Sequence, residues 1–131
     1  MLRLLMPKFT GLVKESKLKP SSSTWNIVDS DANTLALDVA GLLEAQNYRL
    51  ESGTPHAGVY GTGKTVAWWA LGGVSNRYKY NISVSEVGNG EVVLSLKPAM
   101  RGWTGGIIGA VKLKNETKRL IALIDDSMAK A

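Results

Sequence analysis

The chain has 131 residues, of which 16 are Lys or Arg and 11 are Asp or Glu, and its formal net charge is +5. This length is sufficient for one domain with a hydrophobic core of its own. The sequence holds no Cys and a single His, His56. That composition excludes disulfides, thiolate nucleophiles and sites built from several histidines.

The composition also bears on where the protein works. A lack of Cys is typical of proteins from a reducing compartment. No apolar run in the sequence reaches the ~18–20 residues that a membrane-spanning helix needs. The apolar opening, residues 1–7, is too short for the core of a signal peptide. We therefore expect a cytoplasmic protein without a transmembrane segment.

Positive charge is concentrated at the start of the chain. Residues 1–20 carry a charge of +4, because one acid, Glu15, stands against five bases: Arg3, Lys8, Lys14, Lys17 and Lys19. The polar run 20–24 has the composition of a linker. We therefore expect residues 1–24 to form a basic arm, which its composition allows to be flexible, and residues 25–131 to form a single domain. Such an arm attracts nucleic acid, anionic lipid surfaces or acidic proteins.

The first regular element predicted in this domain is a helix. Residues 29–31, Asp-Ser-Asp, supply good N-cap side chains. Leu35, Val39 and Leu42 then follow at helical spacing. The spacing predicts a helix over about residues 31–46.

Two short strands are predicted next. Residues 48–51 alternate between apolar and polar side chains, which indicates a strand. Residues 58–71 combine β-branched and aromatic side chains with several glycines, and this content favours a second strand.

The clearest pattern in the sequence is a β-hairpin over residues 78–98. Apolar and polar side chains alternate through 78–85 and again through 92–97, with Asn-Gly between the two runs. Period-two alternation on both sides of Asn-Gly is typical of a hairpin with one buried face.

The apolar positions also fix the register of this hairpin. A loop of three residues ending in Gly90 pairs Val87 with Glu91 and sets Ile82 opposite Leu96, with both apolar side chains on one face. A slip of one residue would turn the apolar set to opposite faces. We therefore predict a bulged turn with Gly90 in the left-handed conformation.

A second helix is predicted after Thr104, a candidate N-cap. Its apolar stripe consists of Ile107, Val111, Thr117, Leu120, Ile121, Ile124 and Met128. The order of elements is thus helix, four strands, helix. We expect an α+β fold in which a four-stranded antiparallel meander carries both helices on one face.

One motif points to nucleotides. Gly58 and Gly63 lie five positions apart and are followed by Lys64 and Thr65, which is the spacing of a phosphate-binding loop. The pattern resembles the P-loop NTPase family. That resemblance implies ATP or GTP held by backbone N–H groups and Lys64, Mg²⁺ held by Thr65, and an acidic element at Asp125–Asp126.

The surroundings of this motif favour a glycine-bearing strand instead. Residues 52–57 read as a loop, although a phosphate-binding loop follows a buried strand. Gly72 and Gly73 also end the segment before a helix of useful length can form. Nucleotide binding therefore stands as an alternative, and the preferred interpretation needs no cofactor and no metal.

The remaining candidate site residues are cationic or aromatic and suit a macromolecular partner. They are Trp68, Trp69, Arg77, Arg101, Trp103, Lys8, Lys14, Lys17 and Lys19. No acid–base, nucleophile or metal-ligand constellation has convincing spacing, so the sequence favours a non-catalytic interaction module with a basic arm. Its partner is a protein, or a polyanion such as nucleic acid or an anionic lipid surface. The second alternative is nucleic-acid binding through an open sheet face together with the arm.

Overall fold

The computed structural model describes residues 9–62, 78–88, 90–99 and 106–130, with side chains in the last range from residue 111 onward. These ranges contain seven strands and two helices. The strands are β1 (Leu12–Lys17), β2 (Ser23–Val28), β3 (Arg49–Thr54), β4 (Ala57–Gly61), β5 (Lys79–Gly88), β6 (Glu91–Pro98) and β7 (Ala129–Lys130), and the helices are α1 (Ala32–Ala45) and α2 (Gly106–Asp126).

All seven strands belong to one sheet in the order β3-β4-β5-β6-β2-β1-β7. Every neighbouring pair is antiparallel except β1 and β7, which are parallel. The α+β class with an antiparallel sheet was therefore predicted correctly. The predicted number of strands was not, because β2, β1 and β7 continue the sheet beyond β6.

Part of the segment expected to form the arm lies in this sheet. Residues 12–17 form β1, and residues 23 and 24 begin β2. In β1 only Val13 is buried, while the residues from Lys14 to Lys17 are exposed. Strand β7 pairs with β1 only at Leu12 and Val13, so the rest of β1 is exposed and lacks the alternation by which strands are recognised in a sequence.

The hairpin of β5 and β6 has the register expected at its centre. Ile82 lies opposite Leu96, and Gly90 has φ of 73°. The predicted loop of three residues was wrong, because Gly88 rather than Val87 pairs with Glu91, so only two residues lie between the paired ends of the strands. Val87 is left as the bulged residue, and its side chain is exposed.

One face of the sheet carries the hydrophobic core. Trp25, Tyr80 and Leu94 are each fully buried, and so are their alternate neighbours along the same strands. Side chains of α1 and α2 at helical spacing belong to the same core cluster. Neither helix is long and apolar enough to cross a membrane within the described part of the chain.

Helix α1 begins where its capping residue predicts. The Asp31 carboxylate accepts hydrogen bonds from Thr34 N at 2.8 Å and Thr34 Oγ1 at 2.9 Å. These bonds hold the pKa of Asp31 below its usual value. They also satisfy one of the free N–H groups at the start of the helix.

Two exposed glycines permit a matched test of this backbone. A Cβ added to Gly41 in α1 or to Gly90 in the hairpin meets nothing within 4 Å. Gly41→Ala should raise the free energy of unfolding by about 0.5–1 kcal/mol, because Ala is the better helix former. Gly90→Ala should lower it by about 1–2 kcal/mol, because φ is positive there. Urea denaturation of both variants measures the difference.

The two substitutions add the same methyl group to equally open space. Opposite signs therefore isolate the backbone conformation as the cause. Equal effects at the two positions would contradict the left-handed conformation at Gly90.

Candidate functional site

Four of the predicted site residues lie within the described residues. Lys14 and Lys17 are in β1, Lys19 is in the turn after it, and Gly58 is in β4. The other predicted site residues lie outside the described residues: Lys8, Gly63, Lys64, Thr65, Trp68, Trp69, Arg77, Arg101 and Trp103.

Gly58 belongs to a paired strand. It lies opposite Gly53 of β3 on one side and Ile82 of β5 on the other. The glycine-bearing strand favoured over a phosphate-binding loop is thus present over Ala57–Gly61.

The three described lysines of the predicted arm have different surroundings. Lys14 Nζ lies 3.2 Å from Glu91 Oε1, and Asn26 Nδ2 donates to the other oxygen of that carboxylate at 2.7 Å. The bonds from Asn26 and Lys14 lower the pKa of Glu91. Lys17 and Lys19 are exposed and have no hydrogen-bond or ion-pair side-chain partner among the described residues.

A buried serine holds the turn that carries Lys19. Ser23 Oγ accepts from Lys19 N at 3.0 Å and donates to Lys19 O at 2.8 Å, and Ser23 itself is fully buried. Both backbone groups of Lys19 are therefore bonded to one side chain. The turn presents Leu18, Lys19 and Pro20 in a fixed arrangement.

This turn and helix α2 together form a groove. The groove has a volume of about 340 Å³, and it is lined by Leu18, Pro20, Lys118, Ile121, Ala122, Asp125 and Asp126. We call it the turn–helix groove. Its floor is mainly apolar, and Leu18 is 41% exposed there.

A hydrogen bond beneath the groove fixes its helical wall. Trp25 Nε1 donates to Asp125 Oδ1 at 3.1 Å, and the indole is fully buried. The same carboxylate forms an ion pair with Lys130. Both contacts fall on Oδ1 of Asp125, and they tie β2 and β7 to the end of α2.

The lining of the turn–helix groove carries opposite charges. Lys118 and Asp126 both line the groove, and their backbone positions are about 12 Å apart along α2 at ~1.5 Å per residue. Both residues are exposed, and within the described part of the chain neither has a hydrogen-bond or ion-pair partner. A ligand in the groove would therefore meet a cation, an apolar floor and an anion in sequence.

On the described part of the sheet face opposite the core, rows of small side chains alternate with rows that include valine and charged side chains. Ala57, Ser83, Ser95 and Thr24 form one row across four neighbouring strands. Every aromatic side chain that the structure describes lies in or against the core cluster instead. The described part of this face thus differs from sheets that bind single strands by aromatic stacking.

A second polar cluster joins α2 to the chain segment after α1. Glu116 Oε2 accepts from the Tyr48 hydroxyl at 2.6 Å, and Glu116 receives two further bonds from Arg119 at 2.7 and 2.8 Å. Arg119 Nη1 donates to Gln46 Oε1 at 2.6 Å. Nearby, the hydroxyls of Tyr80 and Thr117 are 2.8 Å apart.

The protonation states of the side chains in this cluster favour a structural role over a role in proton transfer. Burial tends to raise the pKa of Glu116, but the bonds from Arg119 and Tyr48 outweigh burial and lower it. Burial and the bond to Glu116 raise the pKa of Tyr48, and burial raises the pKa of Tyr80 to about 12. A carboxylate held ionised beside phenols held neutral is a poor base and a poor acid near neutral pH. The cluster therefore acts as a clamp between α2 and the start of β3.

Sequence reasoning missed both of these sites. Leu18, Lys118 and Asp126 come from two distant segments, and each is unremarkable in its own stretch of sequence. Glu116 and Arg119 are three residues apart on α2, which signals an ion pair, but nothing in the sequence brings Tyr48 to them. No protein-family model matches the chain, and no curated protein is detectably similar to it.

Removing the charge of Glu116 tests the clamp. Its side chain is 15% exposed, and it is the acceptor for the buried Tyr48 hydroxyl. Glu116→Gln should lower the free energy of unfolding by about 1–2 kcal/mol, because bonds to an ionised group are replaced by weaker neutral ones. The control is Glu44→Gln, an exposed acid of α1, which should change stability by less than about 0.5 kcal/mol. Equal, small effects of both substitutions in urea denaturation would contradict the clamp.

The tyrosines predict how stability depends on alkaline pH. The pKa values of Tyr48, Tyr60, Tyr78 and Tyr80 are all raised in the folded protein, with burial the largest cause. Above pH 10 the unfolded chain loses phenolic protons that the folded state still binds. Stability is therefore complete below about pH 10 and falls as pH rises toward 12.

The contribution of a single tyrosine to this fall of stability with pH can be measured. Tyr80→Phe should lose stability less steeply above pH 10 than the parent, by up to about 1.4 kcal/mol per pH unit. The comparison of urea midpoints at pH 8 and pH 11 measures this slope separately from the lost hydroxyl contact. An unchanged slope in Tyr80→Phe would show that the Tyr80 phenol does not hold its proton in the folded state.

Proposed function

We propose that the protein is a non-catalytic binding module whose partner is a protein with an acidic, partly apolar segment. The observation that carries this proposal is the turn–helix groove, in which a mainly apolar floor lies beside lysines that have no ion-pair partner among the described residues. Concave, mainly apolar sites with a few polar groups at their margins are typical of ligand-binding surfaces.

The arrangement of charge supports a cationic rim to this surface. Lys19 lies between two groove-lining residues, Leu18 and Pro20, and Lys118 lines the groove from the helix. Lys114 lies one turn before Lys118 and is also exposed. Lysines of this kind raise the rate of encounter with an acidic partner, and the apolar floor supplies the contact that follows.

A protein suits this surface better than nucleic acid. Asp125 and Asp126 line the same groove, and their carboxylates would repel a phosphate backbone lying along it. The described part of the sheet face opposite the core also offers no aromatic side chain on which bases could stack. A polypeptide with mixed charge and an apolar side chain avoids both difficulties.

Two double variants with the same net charge test the proposal. Lys19→Gln/Lys118→Gln removes two cations beside the groove, and Arg49→Gln/Lys97→Gln removes two exposed cations from the sheet. The probe is a fluorescent dodecapeptide that combines Leu, Lys and an excess of Glu, and fluorescence anisotropy measures its Kd. The groove variant should raise the Kd about fivefold, and the control should change it less than twofold.

A second probe tests nucleic acid as the alternative partner. A fluorescent single-stranded oligothymidine of matched charge should bind more weakly than the peptide. Tighter oligonucleotide binding that falls steeply with salt would favour nucleic-acid binding instead. Equal losses in the two variants would mean that only net charge matters, and the proposed site would be wrong.

A further inference from the structure

Asp125 and Asp126, at the end of α2, differ in their bonded partners. This difference gives the turn–helix groove a direction. Carboxylates in the last turn of a helix face the negative end of its macrodipole, which is unfavourable by about 0.3–1 kcal/mol each. Asp125 is compensated by the bond from Trp25 and the ion pair with Lys130. Asp126, exposed in the same turn, has no compensating partner among the described residues.

The groove is also lined by a cation that has no bonded partner among the described residues. Lys118 is exposed and, within the described residues, unpaired, although α2 also carries acids. Arg119, the next residue, is bonded to Glu116 and Gln46. The groove therefore has one uncompensated cation and one uncompensated anion, with Ile121 and Ala122 between them.

We propose that the turn–helix groove holds a short polypeptide segment of the partner in one direction only. An acidic side chain of the segment pairs with Lys118, an apolar side chain enters between Leu18 and Ile121, and a basic side chain pairs with Asp126. This inference rests on the protein-binding function proposed above and adds the charge order of the ligand.

The dimensions of the groove fix the spacing within this segment. The backbone positions of Lys118 and Asp126 are about 12 Å apart along α2, and an extended chain advances ~3.3 Å per residue. The acidic and basic residues of the ligand are therefore about four positions apart, with the apolar residue between them. A groove of about 340 Å³ is at the small end of ligand sites, ~300–1,000 Å³, so it suits one or two side chains.

Selection from a peptide library tests the charge order directly. Random dodecapeptides displayed on phage are selected on the immobilised full chain, and the enriched sequences are determined. The expected consensus has an acid, an apolar residue and a base in fixed order, with acid and base about four positions apart. Selection on Lys118→Glu/Asp126→Lys, which keeps the net charge, should reverse that order.

A matched charge exchange elsewhere provides the control. Arg49→Glu/Glu44→Lys also preserves the net charge and alters exposed residues without ion-pair partners in the described chain. It should return the parent consensus. Leu18→Glu should abolish enrichment of the apolar residue. Circular dichroism establishes that each variant is folded.

The other outcomes separate this inference from the proposed function. Acidic peptides without a fixed base, selected equally by Asp126→Lys, would overturn the charge order and leave an acidic partner in place. No enrichment on the parent would overturn both proposals. A dimer detected by sedimentation and dissociated by Leu18→Glu would place a second copy of this chain in the groove, and would overturn the separate partner.

A measured affinity gives a quantitative form of the test. A synthetic peptide with the selected consensus should bind Asp126→Lys about two- to fivefold more weakly than the parent. The same peptide with its base replaced by Gln should bind both proteins equally. A loss that persists with the Gln peptide would show that Asp126 acts on the fold rather than on the ligand.

Discussion

The burial of alternate side chains on one face of β2, β5 and β6 is the constraint on which the rest of the structure depends. Ile82 opposite Leu96 and Trp25 opposite Leu94 place large apolar side chains in adjacent rows. Because strand side chains alternate strictly between faces, these pairs determine which side of the whole sheet must be covered. Leu35 of α1 and Leu120 of α2 belong to the same core cluster as these strand side chains.

The turn–helix groove follows from the same constraint. Ser23 and Trp25 occupy core-facing positions of β2, and each uses a polar atom to fix a neighbouring segment. The Ser23 hydroxyl holds the β1–β2 turn, and the Trp25 indole N–H holds the end of α2. Buried polar groups must be paired. The same two hydrogen bonds that pair these groups therefore also hold the two walls of the groove at a fixed distance.

Local patterns allowed the elements with clear periodicity to be predicted. The helix over residues 31–46 and the hairpin register at Ile82 and Leu96 agree with the structure, because both follow from alternation or helical spacing within one segment. Strand β1 was missed because its side chains from Lys14 to Lys17 are exposed and carry no periodic signal. The extent of the sheet depended on that strand and on β7, which pairs through only two residues.

Local sequence patterns did not predict the candidate site. The sequence indicated that Lys14, Lys17 and Lys19 belong to a basic segment, but not that Lys14 is paired with Glu91 while Lys17 and Lys19 have no such partner among the described residues. Nor did it indicate that Lys118, some 100 positions away, adjoins Leu18. Contacts between distant segments depend on strand order, which short-range patterns do not encode.

The outer strand β3 has a further consequence for how the molecule behaves in concentrated solution. All six of its residues are exposed, and its pairing with β4 shifts register between Leu50 and Ser52. Gly53 adds a residue with φ of 80°. These distortions interrupt the row of backbone donors and acceptors that a foreign strand would need for continuous pairing. The β3 margin is thus shaped to resist edge-to-edge polymerisation, the first step toward amyloid-like fibres.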